Sequence, residues 1–330
     1  MRIVNRSRWI LVVSVIMIIC AAGCTDKAAE YLQEGNEFFN TGQLEKAAAS
    51  YRRALEVNPQ SALAHNNLGW ILERQGNTEA AIGHLDKALE LDPAMVEAMN
   101  NRALIHDSQG DFDKAMELYG KVIEIDPTYA NSYSNMAAIN YVRGEYRLAL
   151  EHYAKSLELV GDMPVLHSQI GMCHMALHEY EKAVEDFTTA LKLNPMNPGD
   201  HISMAYGLLA LDRYDQALME TESAIHLKAD MAAAHAARSV IFLEQGKLPE
   251  AEQALEVALK LNADSPASLM AKARLLHATG REVDGMELLE QLVKSNPYPS
   301  PEAVDLLQEW RTAGNDSPTM EPETGTATVE

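Results

Sequence analysis

The chain has 330 residues, of which 48 are acidic and 27 basic, so its formal net charge is −21 at pH 7. Such an acidic surface repels phosphate backbones and argues strongly against nucleic acid as a partner, whereas it permits a basic partner without requiring one. Hydrophobic residues make up 47% of the chain, which is enough for a packed core, and Gly and Pro are too sparse for a disordered or fibrous chain.

The start of the chain has the pattern of a secretory signal peptide. Three arginines precede an apolar run from Ile10 to Ile19, and the small residues Ala21, Ala22 and Gly23 follow it. A membrane-spanning helix needs about 20 apolar residues, so this run is too short to cross a bilayer comfortably. A basic start, a short apolar stretch and a small-residue end predict an exported protein.

The residues around Cys24 resemble the lipobox of bacterial lipoproteins, although Ala21 stands where Leu is usual. The resemblance implies cleavage before Cys24 and acyl chains on its thiol and on the new amino terminus, which together make a stable anchor. Residues 1–23 would then be the signal peptide, and residues 24–27 the lipid anchor with a short linker. The alternative is an uncleaved signal anchor in which Cys24 is an ordinary cysteine.

The residue after the lipidated cysteine bears on which membrane holds the protein. Asp at that place is the usual signal for retention in the inner membrane, and here the residue is Thr25. The resemblance therefore implies the outer membrane, with the protein facing the periplasm, although Asp26 matters for sorting in some lineages.

Alanine recurs every 34 residues through most of the remaining chain. The series is Ala47, Ala81, Ala115, Ala149, Ala183, Ala217 and Ala251. A fixed period of this size predicts a solenoid, in which one supersecondary unit is repeated. One uninterrupted frame divides residues 28–299 into eight units, which begin at 28, 62, 96, 130, 164, 198, 232 and 266.

Each unit has the pattern of two helices joined by a turn. Small residues at the eighth position of a unit and along the alanine series allow the two helices to approach closely. Glycine recurs where the first helix is expected to end, and there a positive φ is useful. These glycines are Gly42, Gly76, Gly110, Gly144, Gly246 and Gly280.

Segments such as NRALIHDSQGDFDKAMELYGKVIEIDP resemble tetratricopeptide repeats almost residue for residue. The resemblance covers residues 28–299 and implies an all-α, right-handed α-solenoid of eight tandem helix-turn-helix units. It also implies that the first helices line a concave groove, which binds a segment of a partner protein.

The expected groove residues of the first units are mostly carboxamides, which both donate and accept hydrogen bonds and so suit the backbone of an extended peptide. An alternative is that Asn is simply common at this position of the family. Aromatic and apolar side chains are added as candidates by their residue type and position. The predicted peptide-binding residues are Asn66, Asn67, Trp70, Asn100, Asn101, Asn135, Tyr141, Gln169, Met172 and Tyr206.

After the repeats, residues 300–314 are predicted to form a capping helix. Val304, Leu307 and Trp310 are expected to face back onto the last unit, because the terminal units of repeat arrays need a cover. Residues 315–330 contain no basic residue and little to bury, so they are predicted to be a disordered tail.

The sequence contains no convincing catalytic or metal-binding pattern, and we expect no enzyme activity, cofactor, metal or small-molecule substrate. Four histidines occupy the fourth position of their units: His65, His167, His201 and His235. Stacked helices stand about 8–10 Å apart, too far for several imidazoles to share one ion through bonds of about 2 Å. These four histidines are instead expected to lie in a half-buried seam between helices. His174 and His178 are expected to share one helical face without a third ligand.

The sequence thus predicts a membrane-anchored scaffold or adaptor of the bacterial envelope. It is similar to repeat-bearing lipoproteins that help to assemble pilus-type or secretion complexes, or that recruit cell-wall enzymes. An accessory scaffold of polysaccharide export is the alternative. Architecture alone does not decide between them.

Overall fold

The computed structural model describes residues 27–315, with side chains described through residue 312. The predicted signal peptide, Cys24 and the predicted tail from residue 316 lie outside the described residues. Throughout the described part the regular structure is helical, and its helices form eight successive pairs followed by a single helix, which confirms the all-α repeat fold. The helices are α1 (27–40), α2 (Leu44–Val57), α3 (Ala62–Arg74), α4 (Thr78–Leu91), α5 (Val96–Ser108), α6 (Phe112–Ile125), α7 (Ala130–Val142), α8 (Tyr146–Val160), α9 (Pro164–Ala176), α10 (Tyr180–Leu193), α11 (Pro198–Ala210), α12 (Tyr214–Leu227), α13 (Ala232–Glu244), α14 (Leu248–Leu261), α15 (Pro266–Ala278), α16 (Glu282–Ser295) and α17 (Pro301–Asn315).

The helices belong to two compact bodies, divided within α7 between Ile139 and Asn140. The N-terminal body contains α1 to α6 and most of α7, and the C-terminal body contains the end of α7 and α8 to α17. None of the described helices combines the length and the apolar character that a membrane span requires.

Small residues bring the two helices of each unit together, as the sequence predicts. All seven alanines of the series from Ala47 to Ala251 are fully buried. The small residue of the first helix faces a large buried side chain of the second. At Gly171, for example, an added Cβ would lie 2.8 Å from Cε1 of Phe187, and at Gly69 it would lie 2.9 Å from Cγ of Leu85. The close helix contact therefore depends on paired side-chain volumes.

The turns inside the units follow the predicted glycine pattern in six cases, each with a positive φ between 71° and 81°. In units five and six the same turn position holds His178 and Asp212, with φ of 57° and 58°. The expectation that His174 and His178 share a helical face is wrong, because α9 ends at Ala176. His178 lies in the following turn.

Helix α17 caps the last repeat unit. Leu307 and Trp310 are buried, as predicted, and the Trp310 ring stacks on His277 with a centroid separation of 4.0 Å. The prediction for Val304 is wrong, since that side chain is 40% exposed. Ala303 and Leu306 pack against the last unit instead. The helix also includes Asn315, one residue beyond the predicted range.

Candidate functional site

The carboxamides of the N-terminal body form a connected network. Asn67 donates from Nδ2 to Oδ1 of Asn36 (3.2 Å), and Asn66 donates to Oδ1 of Asn67 (3.0 Å). Asn101 of the next unit donates to Oδ1 of Asn66 (2.9 Å). The hydroxyl of Tyr51 donates to Oδ1 of Asn36 (2.7 Å). The predicted row of carboxamides is therefore brought together by hydrogen bonds between neighbouring units.

A second group of hydrogen bonds surrounds Asn100. Its Oδ1 accepts from Oγ of Ser132 and from Nδ2 of Asn135, both at 3.4 Å. Asn66 and Asn100 are each only 4% exposed, so they hold their neighbours in place and offer little surface to a ligand. Asn67, Asn101 and Asn135 are half-buried. These three are the members of the row that a bound segment would reach, and their binding role stays a prediction.

Trp70 is held between two side chains of the N-terminal body. The Phe39 ring packs edge-on against it with centroids 4.8 Å apart, and the guanidinium of Arg74 lies 4.8 Å from the centre of the indole. The indole remains half-buried, so part of it is available for contact.

The C-terminal body contains a cavity of about 600 Å³. One wall comes from the first helices of successive units and includes Tyr141, Met172 and Tyr206, which the sequence predicts as groove residues, together with Met175 and Leu209. Gln169 is half-buried on α9 outside this lining. Aromatic and methionine side chains around a concave space favour the binding of an apolar group.

The other wall of the cavity is α17, which the sequence predicts only as a cap. Glu302, Asp305 and Glu309 lie on the side of this helix that lines the cavity, whereas its apolar side packs on α15 and α16. Their spacing of three and four residues places them on one helical face. That spacing is visible in the sequence, but the side chains that the face would meet are not.

One ion pair and one contact of a histidine with a carboxylate connect α17 to the first wall. The guanidinium of Arg274 lies 3.0 Å from Glu302 and 3.7 Å from Glu244. Nε2 of His178 lies 3.6 Å from the carboxylate of Asp305. Among the described residues, the basic side chains that line the cavity are Arg274 and His178, and both already lie beside carboxylates.

The phenols that line the cavity stay protonated at physiological pH. Burial raises the pKa of Tyr141 to about 12. The pKa of Tyr206 is raised by burial and by the charge of Glu302, and that of Tyr180 by burial and by the charges of Asp305 and Glu302. These phenols therefore act as neutral hydrogen-bond donors and aromatic surfaces.

The histidines of the fourth position make separate contacts. Nδ1 of His201 pairs with Glu220 (2.6 Å), and Nδ1 of His65 lies 2.9 Å from Nδ1 of His84. His65, His167 and His201 are half-buried as expected, whereas His235 is buried. Within the part of the chain whose side chains are described, no group of three or more His, Cys, Asp and Glu has the geometry of a metal site.

Cys173 lies in the interior of the C-terminal body. It is fully buried, and burial raises the pKa of its thiol to about 12, with a smaller contribution from the charge of Asp186. A thiol that is protonated and enclosed does not act as a nucleophile.

The fold and the paired helices define a helical repeat protein. Three models of the tetratricopeptide repeat match the sequence, and together they cover more than half of it. The matched residues are 32–96, 73–130 and 202–266 for the first model, 164–197 for the second and 242–309 for the third. The chain belongs to the tetratricopeptide repeat family. Proteins of this kind are scaffolds for protein–protein interaction and are generally not enzymes.

Solved structures share this fold at low sequence identity. A tetratricopeptide repeat protein from Parabacteroides merdae has a TM-score of 0.55 at 18% identity, over 76% of this chain and 99% of its own. The C-terminal part of a repeat-containing protein from Cytophaga hutchinsonii has a TM-score of 0.54 at 15% identity, over 73% and 98%. Yeast Tom70 has a TM-score of 0.51 at 18% identity, over 88% and 65%. At these identities the likeness shows the fold alone. No curated protein sequence matches the chain.

Proposed function

We propose that this chain is a lipid-anchored scaffold of the bacterial envelope, which binds a segment of a partner protein on the face formed by its first helices. The observation that carries the proposal is the cavity of the C-terminal body, since Tyr141, Met172 and Tyr206 in its lining come from the first helices of consecutive units. Such side chains are typical anchors in protein interfaces.

The sequence motif at Cys24 supports the envelope location. An export signal followed by a lipobox-like motif would place the repeats in the periplasm, anchored by acyl chains to the outer membrane. There the scaffold would serve the assembly of a secretion or pilus-type complex, or bring cell-wall enzymes together. Capture of a component of glycan export would instead favour the polysaccharide alternative.

Site-specific photocrosslinking in intact cells tests the binding face. Met172 lies on α9, lines the cavity and is 40% exposed, so a photoreactive residue in its place should capture a defined envelope protein. Met219 lies on α12, outside the lining, and is 65% exposed. It is the matched control, because the same residue type is replaced on a more accessible surface.

Mass spectrometry of the crosslinked products gives the readout. The proposal expects one envelope protein to be captured from position 172 and to be absent from the products of position 219. Identical products from both positions, or none from position 172, would contradict it.

A further inference from the structure

The cavity of the C-terminal body is lined by more acidic than basic side chains. Its carboxylates are those of Asp212, Glu244, Glu302, Asp305 and Glu309. The basic groups in the lining are the guanidinium of Arg274 and the imidazole of His178. Each already lies beside a carboxylate of α17. All five carboxylates are exposed, so a ligand can reach them, and their attraction for it is subject to screening by salt.

The charges of these carboxylates also act on nearby tyrosine side chains. Burial is the main cause of the raised pKa of Tyr180 and of Tyr146 on the neighbouring α8. The charge of Asp305 adds to both shifts, and that of Glu302 adds a smaller contribution at Tyr180. Neutral phenol rings also attract cations through their negative faces. The acidic and the aromatic side chains thus both favour a cationic ligand.

Two turns beside the cavity carry a side chain at the position where the other six units have Gly. Six of the eight turns inside the units use Gly at a positive φ, but the two turns that line the cavity hold His178 and Asp212 there. Residues other than Gly are uncommon in this conformation, but Asp and His adopt it more readily than most. Each is held by a tyrosine hydroxyl at 2.7 Å, from Tyr180 and Tyr214 respectively.

We infer that this cavity binds a segment that is both apolar and cationic, with an apolar side chain between Met172, Tyr206 and Leu209 and a Lys or Arg facing the carboxylates of α17. Helix α17 is then a specificity element as well as a cap. The inference rests on the proposed function as a protein-binding scaffold and adds the chemistry of the partner. An acidic segment would have to rely on Arg274, whose charge is already opposed by Glu244 and Glu302.

A pair of model peptides tests the charge preference. The full-length chain is purified in a non-ionic detergent and titrated with a fluorescent peptide of alternating Leu and Lys, and with its counterpart in which Glu replaces Lys. We expect the Lys peptide to bind and the Glu peptide to bind much more weakly. Added salt should weaken the binding of the Lys peptide, because it screens the carboxylates.

A double variant of α17 locates the effect. Asp305→Asn with Glu309→Gln removes two charges and leaves the pair of Arg274 and Glu302 intact. A carboxylate about 4 Å from an ammonium group in water strengthens binding by about fivefold, so the double variant should bind the Lys peptide at least about fivefold more weakly.

The matched control is Glu222→Gln with Glu252→Gln, which removes the same charge from exposed positions outside the cavity. It should bind the Lys peptide as the unchanged protein does, and a titration into detergent without protein measures any binding to the micelles. Circular dichroism checks that both variants stay folded.

Three results would overturn the inference: equal or tighter binding of the Glu peptide, no binding of the Lys peptide, or equal weakening by the two double variants. None of them contradicts the scaffold function, because a partner of different chemistry would still be captured from position 172 in cells.

Discussion

At the scale of single residues, Gly285 shows why a repeat departs from its own pattern. The residue continues the alanine series into the last unit, where Gly stands in place of Ala. In the structure Gly285 is buried, and an added Cβ would lie 2.8 Å from the carbonyl oxygen of Ala273 and 3.1 Å from the backbone nitrogen of His277. Helices α15 and α16 are therefore closer here than an Ala would allow.

Gly285→Ala restores the residue of the series and is nevertheless expected to destabilise the C-terminal body. The obstacle is backbone, which cannot rotate away as a side chain can, so the cost should be about 1–3 kcal/mol. Gly83→Ala is the matched control, since Gly83 also lies inside a second helix but has nothing within 4 Å of an added Cβ. It should be stabilising by about 0.5–1 kcal/mol.

Urea unfolding followed by circular dichroism measures both changes. A loss for Gly285→Ala with a gain for Gly83→Ala is the expected pattern. If Gly285→Ala raised the unfolding midpoint, the close contact between α15 and α16 would be disproved.

At the scale of secondary-structure elements, α17 has two faces that make different contacts. Its apolar face carries Ala303, Leu306, Leu307 and Trp310, which pack with Met270 and Leu289 of the last unit. Its acidic face lines the cavity. The same helix therefore closes the hydrophobic interior of the repeats and carries charge to the candidate binding site.

Leu307→Ala should weaken the packing of α17 on the last unit more than Val304→Ala does. Leu307 is 5% exposed and its truncation leaves a void, at a cost of about 2–5 kcal/mol, whereas Val304 is 40% exposed and should cost about 1 kcal/mol or less. Hydrogen exchange measured by mass spectrometry on the α17 peptide should be faster in Leu307→Ala, with the other helices little changed. Equal exchange in the two variants would contradict the observed orientation of the helix.

The sequence predicts the repeated elements well because their periodic small residues are a local signal. It predicts Leu307 and Trp310 as buried but misplaces Val304, because one short amphipathic helix fits more than one face. The sequence also predicts the row of carboxamides. It does not predict that Asn66 and Asn100 are buried, because this depends on packing with neighbouring units, whose Asn101 and Asn135 donate hydrogen bonds to them. The α17 wall of the cavity depends on contacts between residues far apart in sequence, such as His178 and Asp305. No local pattern encodes these.

At the scale of the whole molecule, an acidic array of protein-binding repeats follows a segment whose sequence predicts export. The repeats make their own hydrophobic contacts from unit to unit, so their folding does not require a membrane. The net charge of −21 disfavours binding to an anionic lipid surface through the repeats themselves. Membrane association would thus depend on Cys24, which lies three residues before the first described helix.

Cys24→Ala is expected to abolish lipid attachment without unfolding the repeats. The variant should accumulate as an uncleaved precursor or leave the membrane fraction, and it should incorporate no radiolabelled palmitate, because two or more acyl chains are what makes such an anchor stable. Cys173→Ala is the matched control, since that cysteine is buried in α9 and its thiol is enclosed. The Cys173→Ala variant should be labelled and should fractionate as the unchanged protein does. In a density gradient, we expect the unchanged protein to separate with the outer membrane. A Cys24→Ala protein that is processed, labelled and membrane-bound as usual would disprove the lipoprotein proposal, while the repeat fold and the candidate site would stand.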